Sequence, residues 1–228
     1  MKKNIVLLGD SIFDNGVYVK YGEPDVTKQL QGLLDKGDKV SMLAVDGDVI
    51  NDVKRQLRKL PNDTTHLVIS IGGNDAIGIL DEFSRTTRNI GDSFLKFYPS
   101  RQSFESDYIK MINNVLSFNL PTTLCTIYHP CFNHSDTERM SDYMSIGINN
   151  DTLQKKAVTA LPIFNDIIFQ EAVNFNLPVI DLRLIFNDKS DYANPIEPSA
   201  IGGLKMAKVI KEVVYKHDFS SNNTIVYK

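Results

Sequence analysis

The chain has 228 residues, of which 42% are hydrophobic, and its formal net charge is −3 at pH 7. A chain of this length and apolar content can bury a substantial core, so we expect a single α/β domain over residues 1–228. The near balance of charge argues against a nucleic-acid-binding surface, which carries a basic excess. No apolar run reaches the length that crosses a membrane, and the run near the N-terminus is too short for a signal peptide. We therefore expect a cytoplasmic protein.

The cysteines and the paired carboxylates do not indicate a metal or disulfide site. Cys125 and Cys131 are too few for a disulfide framework, and their spacing is not the C-x-x-C of a zinc or redox site. Asp46 and Asp48 lack a third ligand at a sensible spacing in the sequence. The sequence thus predicts free thiols and no metal.

Segments typical of strands and of helices alternate along the chain. The apolar run at 4–8 is continuous, as in a strand covered on both faces. Such alternation is typical of a parallel sheet with helices on both faces, and it predicts a three-layer α/β/α sandwich of about five strands. The polar stretch at 81–103 shows no clear period and suggests an insertion, and Pro162 predicts a kink or a break. The predicted strands lie at 4–8, 39–45, 66–73, 122–128 and 177–182, and the predicted helices at 26–36, 49–60, 107–119, about 152–175 and 202–217.

The segments that directly follow the strands are the first candidates for a site, because ligands bind at the carboxyl ends of parallel strands. The first exit reads Gly-Asp-Ser (9–11), the second contains Gly47, and the third reads Gly-Gly-Asn-Asp (72–75). Taken singly, these residues have ordinary explanations as helix caps and turns. Their joint occurrence, in order and each at a strand exit, favours a site.

This ordered set resembles the GDSL esterase/lipase family in its SGNH-hydrolase form. The family's serine, glycine and asparagine fall on Ser11, Gly47 and Asn74, and the resemblance extends from residue 5 to about residue 210. It implies a flavodoxin-like fold and cleavage of carboxylic esters through an acyl-enzyme on Ser11, with no cofactor. The resemblance also implies that the backbone N–H groups of Ser11 and Gly47 and the Asn74 amide bind the oxyanion of that reaction.

The sequence departs from the family at the base. The family's Asp-x-x-His aligns with Asn194 and Glu197, so the usual Ser-His-Asp triad is not carried over. In the first interpretation Glu197 is the base, because burial raises a carboxyl pKa towards neutrality, and the Asn194 amide holds its carboxylate. In the second, His129 at the fourth strand exit is the base. In the third, catalysis is lost and the pocket binds an acyl or carbohydrate ligand. We favour Glu197 and place His129 second.

The expected substrate is a small-molecule ester with a short acyl or acetyl group on a small molecule or carbohydrate. An acyltransferase is an alternative, because an acyl-enzyme does not dictate which hydroxyl attacks it. The sequence predicts no nucleic-acid partner and leaves the oligomeric state open. The candidates for substrate contact are Asp10, Asp75, Tyr128 and Ile196, and those for lining an acyl pocket are Tyr128, Phe132 and the aromatic cluster at 94–98.

Overall fold

A computed structural model describes residues 2–79, 86–134 and 149–228. Within these residues, six strands form one sheet in the order β2-β1-β3-β4-β5-β6, and all neighbouring strands are parallel. The predicted α/β fold is confirmed, with six strands where the sequence indicated about five. The strands are β1 (Asn4–Gly9), β2 (Lys39–Met42), β3 (His66–Ser70), β4 (Thr122–Cys125), β5 (Val179–Ile180) and β6 (Val226–Tyr227).

The strand that the sequence did not predict is β6, the outermost strand of the sheet next to β5. It pairs with β5 through the N–H of Val179, which donates to Ile225 O at 2.9 Å, and that of Asp181, which donates to Tyr227 O at 2.9 Å. Two residues after a polar segment are too short to show a period, so only the pairing with β5 identifies this strand.

Helices cover both faces of the sheet. In β1, Val6 and Leu8 pack into one apolar cluster with the helices at Ile90–Leu116 and Asn150–Asn174, whereas Ile5 and Leu7 pack into a second cluster with those at Val26–Leu33 and Ala200–Lys216. This alternation is what a strand buried on both faces requires. The helices are α1 (Val26–Leu33), α2 (Val53–Leu57), α3 (Gly73–Ile77), α4 (Ile90–Leu116), α5 (Asn150–Asn174), α6 (Leu182–Ile185) and α7 (Ala200–Lys216), with 3₁₀ turns at Ile50–Asp52 and Lys189–Asp191.

Helix α4 corrects the interpretation of the polar stretch at 81–103 as an insertion without period. The Asn89 side chain caps the helix by accepting the N–H of Asp92 at 2.9 Å, and the helix then runs for 27 residues with Pro99 inside it. Its first half exposes apolar residues instead of burying them on one face, so the sequence shows no clear period there. Residues 80–85 of that stretch lie outside the described residues.

Helix α5 passes through Pro162, so of the kink or break predicted there, the break is wrong and the kink stays a prediction. Leu161 and Phe164, on either side of the proline, are buried and hold the helix against the core. Residues 135–148, which belong to the loop predicted over 129–150, lie outside the described residues. Cys125 and Cys131 are free thiols, as predicted. In the described part of the chain, no helix has the length and apolar character needed to cross a membrane.

Candidate active site

The end of β1 places Ser11 at the carboxyl edge of the sheet. Gly9 has a φ of +139°, and a Cβ there would lie 1.8 Å from the Ser70 carbonyl oxygen on β3, so only glycine fits. The Gln56 side chain holds this glycine on both sides, accepting its N–H at 2.9 Å and donating to its carbonyl at 2.7 Å. The chain can therefore turn sharply after β1 and direct Ser11 away from the strand.

Ser11 contacts a carboxylate far away in the sequence. Its hydroxyl donates to Glu197 Oε1 at 3.0 Å, and both residues are 5% exposed. Burial raises the pKa of Glu197 from 4.5 to about 7, although the hydrogen bond from Ser11 opposes that rise. The other oxygen, Oε2, is buried and has no partner among the described residues. The structure thus joins a hydroxyl to a carboxylate that titrates near neutral pH.

The loop that carries Glu197 is closed by its own backbone and by Asn194. Asn194 Oδ1 accepts the N–H groups of Ile196 and Glu197, both at 3.0 Å, and the N–H of Ala193 donates to Glu197 O at 2.8 Å. Among the described residues, the Asn194 side chain makes no contact with the Glu197 carboxylate. The expectation that it holds this carboxylate is therefore wrong. Asn194 instead fixes the turn, because its short side chain reaches the backbone two and three residues further on.

Tyr128 anchors the same loop from the end of β4. Its hydroxyl donates to the Ile196 carbonyl, one residue before Glu197, and its ring stacks on Phe186 with centroids 4.2 Å apart. Burial raises the pKa of Tyr128 well above its ordinary value, so the hydroxyl stays a donor at neutral pH. Tyr128 and Ile196 both line the cavity beside Ser11. Their contact with substrate stays a prediction, and their contact with each other positions Glu197.

His129 lies next to this loop but does not line the cavity that contains Ser11 and Glu197. Its backbone carbonyl accepts the Tyr192 hydroxyl at 2.7 Å, and its Nδ1 has no partner among the described residues. Burial lowers the pKa of His129, and the positive charge of Arg183 lowers it further. The carboxylate of Glu197, and not the His129 ring, accepts the Ser11 hydroxyl.

The expected oxyanion donors lie on the exits of three adjacent strands, β2, β1 and β3. Asn74 lines the cavity with Ser11, and one hydrogen of its amide goes to the Asp48 carbonyl at 2.9 Å, which leaves the second for a ligand. Gly47, with a φ of +83°, precedes Asp48 in the turn that Asn74 holds, but it is not part of the cavity wall. Within the described residues, neither the Ser11 N–H nor the Gly47 N–H has an acceptor.

Asp10 and Asp75 hold backbone around the site. Asp10 Oδ1 accepts the N–H of Ile12 at 3.1 Å, and Asp75 Oδ2 accepts that of Ile50 at 3.1 Å. Burial raises the pKa of both carboxyls, and for Asp10 the charge of Glu197 adds to this effect. Asp10 also lines the cavity, whereas Asp75 does not. Substrate contact by either residue stays a prediction.

The cavity runs from Ser11 between the sheet and helices α3, α4 and α5. Apart from the polar groups at Ser11, its wall is mostly apolar. The aromatic cluster at 94–98 divides, because Phe97 lines the cavity while Phe94, Leu95 and Tyr98 are exposed. The side chains that form the apolar part include Ile71, Phe97, Phe132, Ala157, Leu161 and Phe164.

Two positioning residues escaped the sequence-based prediction. Gln56 also donates to Asp48 Oδ2 at 2.7 Å, so it joins the first two strand exits. Asn15 is fully buried, and its side chain donates to the Pro198 carbonyl at 3.1 Å and accepts the Val26 N–H at 3.0 Å. The sequence gives no signal for either residue, because Gln56 directly follows Lys54 and Arg55 and Asn15 directly follows Asp14.

The structure is similar to solved lipases and esterases over nearly its whole length. It matches the extracellular lipase of Streptomyces rimosus with a TM-score of 0.64 and 15% identity, over 92% of this chain and 99% of that one. It matches the phospholipase A1 of Streptomyces albidoflavus with a TM-score of 0.62 and 16% identity, over 93% of this chain and 99% of that one. It also matches a psychrotrophic Pseudoalteromonas esterase, solved in a form inhibited by monoethylphosphonate. The TM-score is 0.58 and the identity 15%, over 94% of this chain and 100% of that one.

These likenesses show the fold. None of the curated proteins compared with the chain matches it. The sequence model of the GDSL-like lipase/acylhydrolase family matches residues 5–220, and this range contains Ser11, Gly47, Asn74 and Glu197. The chain therefore belongs to the GDSL-like lipase/acylhydrolase family.

Proposed function

We propose that the protein hydrolyses carboxylic esters through an acyl-enzyme on Ser11, with Glu197 as the general base. The observation that carries this proposal is the 3.0 Å hydrogen bond from the Ser11 hydroxyl to a buried carboxylate with a pKa of about 7. A general base works best when its pKa lies near the working pH, because it is then both available and basic enough. Membership of an acylhydrolase family supports ester hydrolysis in general.

In the first half-reaction, Ser11 Oγ attacks the ester carbonyl carbon while its proton passes to Glu197. The negative charge moves from the carboxylate to the carbonyl oxygen, so the site gains no net charge. The second hydrogen of the Asn74 amide, with the N–H groups of Ser11 and Gly47, is available to the oxyanion. Glu197 then returns the proton to the leaving alcohol oxygen as the bond between that oxygen and the acyl carbon breaks.

In the second half-reaction, a water molecule attacks the acyl-enzyme, and Glu197 takes its proton in the same way. Collapse of the intermediate releases the carboxylic acid and returns the proton to Ser11 Oγ. A protonated glutamic acid is neutral, unlike an imidazolium, so it needs no second carboxylate for stabilisation. A negative residue at position 194 would repel the Glu197 carboxylate, and a neutral asparagine avoids this.

The apolar wall of the cavity supports an aliphatic acyl group as the part of the substrate that binds there. Phe97, Leu161 and Phe164 offer such a chain apolar surface but no hydrogen-bond donor. An acetyl group would leave most of this wall without contact. We therefore propose an ester with an acyl chain longer than acetyl, while the alcohol part stays open.

A serine-directed fluorophosphonate probe tests the nucleophile. We expect stoichiometric labelling at Ser11 that disappears in Ser11→Ala. Absence of labelling at any pH would support a binding protein instead. If a second alcohol is supplied and its acyl ester forms in place of the free acid, the protein is an acyltransferase.

A pair of variants tests the base on a p-nitrophenyl ester. Glu197→Gln keeps the shape of the side chain but cannot accept the proton, so we expect kcat to fall by about 10²–10⁴-fold. His129→Asn is the matched control and should keep most of the activity. The opposite result, with full turnover in Glu197→Gln and none in His129→Asn, would assign the base to His129.

A further inference from the structure

The first half of helix α4 exposes four large apolar side chains, which we call the α4 ridge: Ile90, Phe94, Leu95 and Tyr98. Their exposed fractions are 77%, 65%, 72% and 52%. The second half of the same helix buries its apolar residues in the core. Single exposed apolar residues are common on proteins, but four within nine residues of one helix form a patch that indicates an interaction surface.

The α4 ridge continues the wall of the cavity onto the surface. Ile90, Phe94 and Tyr98 are four residues apart and therefore share one face of the helix. Phe97, three residues after Phe94, points inward, packs against Phe164 with ring centroids 5.7 Å apart, and lines the cavity. A single helix thus carries apolar side chains from the cavity to solvent.

The charged groups near the α4 ridge fit a lipid surface of no net charge. Arg88 is paired with Asp92 at 2.9 Å, and Lys96 donates to the Thr86 carbonyl at 2.9 Å. Long basic side chains can lay their stems on an apolar surface and keep their charges among headgroups, while Phe and Leu enter the acyl region. Arg88 and Asp92 offset each other, and Lys96 adds a single positive charge, so apolar contact rather than anionic lipid would drive binding.

We propose that the α4 ridge docks on the surface of phospholipid bilayers and so brings the mouth of the cavity to acyl chains held there. The proposal rests on the proposed function, because docking is useful only if the cavity takes up the acyl chain of an ester. It places the protein on the membrane surface through the α4 ridge.

The test measures co-sedimentation with phosphatidylcholine vesicles in the Ser11→Ala background, so that binding is separated from chemistry. We expect this protein to bind, and the double change Phe94→Ser with Leu95→Ser to lower its partition coefficient about tenfold or more. The matched control, Phe118→Ser with Val173→Ser, alters two exposed apolar residues, 45% and 60% exposed, that precede β4 and β5 at the opposite edge of the sheet. It should change binding less than about twofold.

Several results would overturn the proposal: no sedimentation with vesicles, equal loss in both double variants, or a dimer that the ridge variant dissociates without any vesicle binding. The ridge variant with Ser11 intact should hydrolyse a soluble p-nitrophenyl butyrate as fast as the wild type, which shows that the site is folded. Vesicle binding without hydrolysis of any ester would support docking through the α4 ridge and reject the proposed function alone.

Discussion

Glu197 combines two properties that a general base needs at neutral pH: contact with the nucleophile and a pKa close to 7. The cause of the second property is burial, which penalises the charged form more than the hydrogen bond from Ser11 favours it. The same burial makes the residue costly to ionise. Activity and stability should therefore respond to pH in opposite directions.

The activity should rise with pH as Glu197 ionises, because only the carboxylate can accept the Ser11 proton. We expect kcat/KM for a p-nitrophenyl ester to increase about tenfold per pH unit below pH 7 and to level off above it. The measurement is a profile from about pH 5 to about pH 9. In Glu197→Gln this rise should vanish along with most of the rate, whereas in His129→Asn it should persist. A rise that survives in Glu197→Gln would mean that another group is the base.

The stability should fall over the same pH range. The pKa of Glu197 is 4.5 in the absence of the fold and about 7 within it, so the folded protein holds a proton that the unfolded chain has lost. The unfolding free energy therefore decreases between these pH values, by about 3 kcal/mol in all. Glu197→Gln removes this decrease.

Urea denaturation at about pH 4 and about pH 8 measures the effect. We expect the variant to gain about 3 kcal/mol on the wild type between the two conditions. Asp75, whose pKa burial also raises, contributes similarly to both proteins, whereas the pKa of Asp10 is raised less in the variant, which lacks the charge of Glu197, and this adds to the gain of the variant. If the free energies of the two proteins change in parallel with pH, the pKa of Glu197 is not raised.

At the scale of elements, the loop before α7 decides how Glu197 meets Ser11. Its contacts come from three sides: Asn194 within the loop, Tyr128 from the end of β4, and Asn15 from the segment after β1. Such a loop holds its carboxylate without a partner for Oε2 among the described residues. Apart from the bond with Ser11, the position of the carboxylate is therefore set by side chains that hold the backbone of the loop and not by one that holds the carboxylate itself.

The Asn194→Asp variant separates these two ways of positioning a carboxylate. Aspartate keeps the oxygen that accepts the N–H groups of Ile196 and Glu197, so the turn should survive. The added negative charge should raise the pKa of Glu197, and the rise in kcat/KM should move by about one unit to higher pH. Asn194→Ala, which loses both bonds, is the comparison and should lower the rate without this shift. An unchanged pH profile in Asn194→Asp would show that position 194 does not influence the base electrostatically.

The features that could be predicted from the sequence are those that a local sequence pattern identifies. Ser11 follows a continuous apolar run and a Gly-Asp pair, and that local pattern places it at a strand exit. The contact of Asn194 could not be predicted, because an asparagine three residues before a glutamate suits a carboxylate brace and a backbone brace equally well. The start of α4 was missed for a different reason: its apolar side chains face solvent, so no buried face marks the helix.

At the scale of the whole molecule, the site needs contributions from both sides of the sheet's carboxyl edge. The loops after β1 and before α7 supply Ser11 and Glu197, while α4 and α5 supply the apolar wall. The proposed chemistry and the proposed choice of acyl chain therefore depend on different elements. A change in the wall should alter which ester is cleaved and leave the pH dependence as it is.

Ala160→Leu tests this separation, because Ala160 lies on α5 in the wall of the cavity and a larger side chain there shortens the space for a chain. One methylene in an apolar pocket changes kcat/KM by about tenfold or more, so we expect at least that loss for decanoate relative to butyrate. The measurement is kcat/KM for p-nitrophenyl esters from acetate to decanoate, with Thr159→Leu, an exposed neighbour on the same helix, as the control. A chain-length profile that Ala160→Leu leaves unchanged would show that the acyl group binds elsewhere. A profile that falls equally for every ester, acetate included, would point to damage at Ser11 rather than to selection by the cavity.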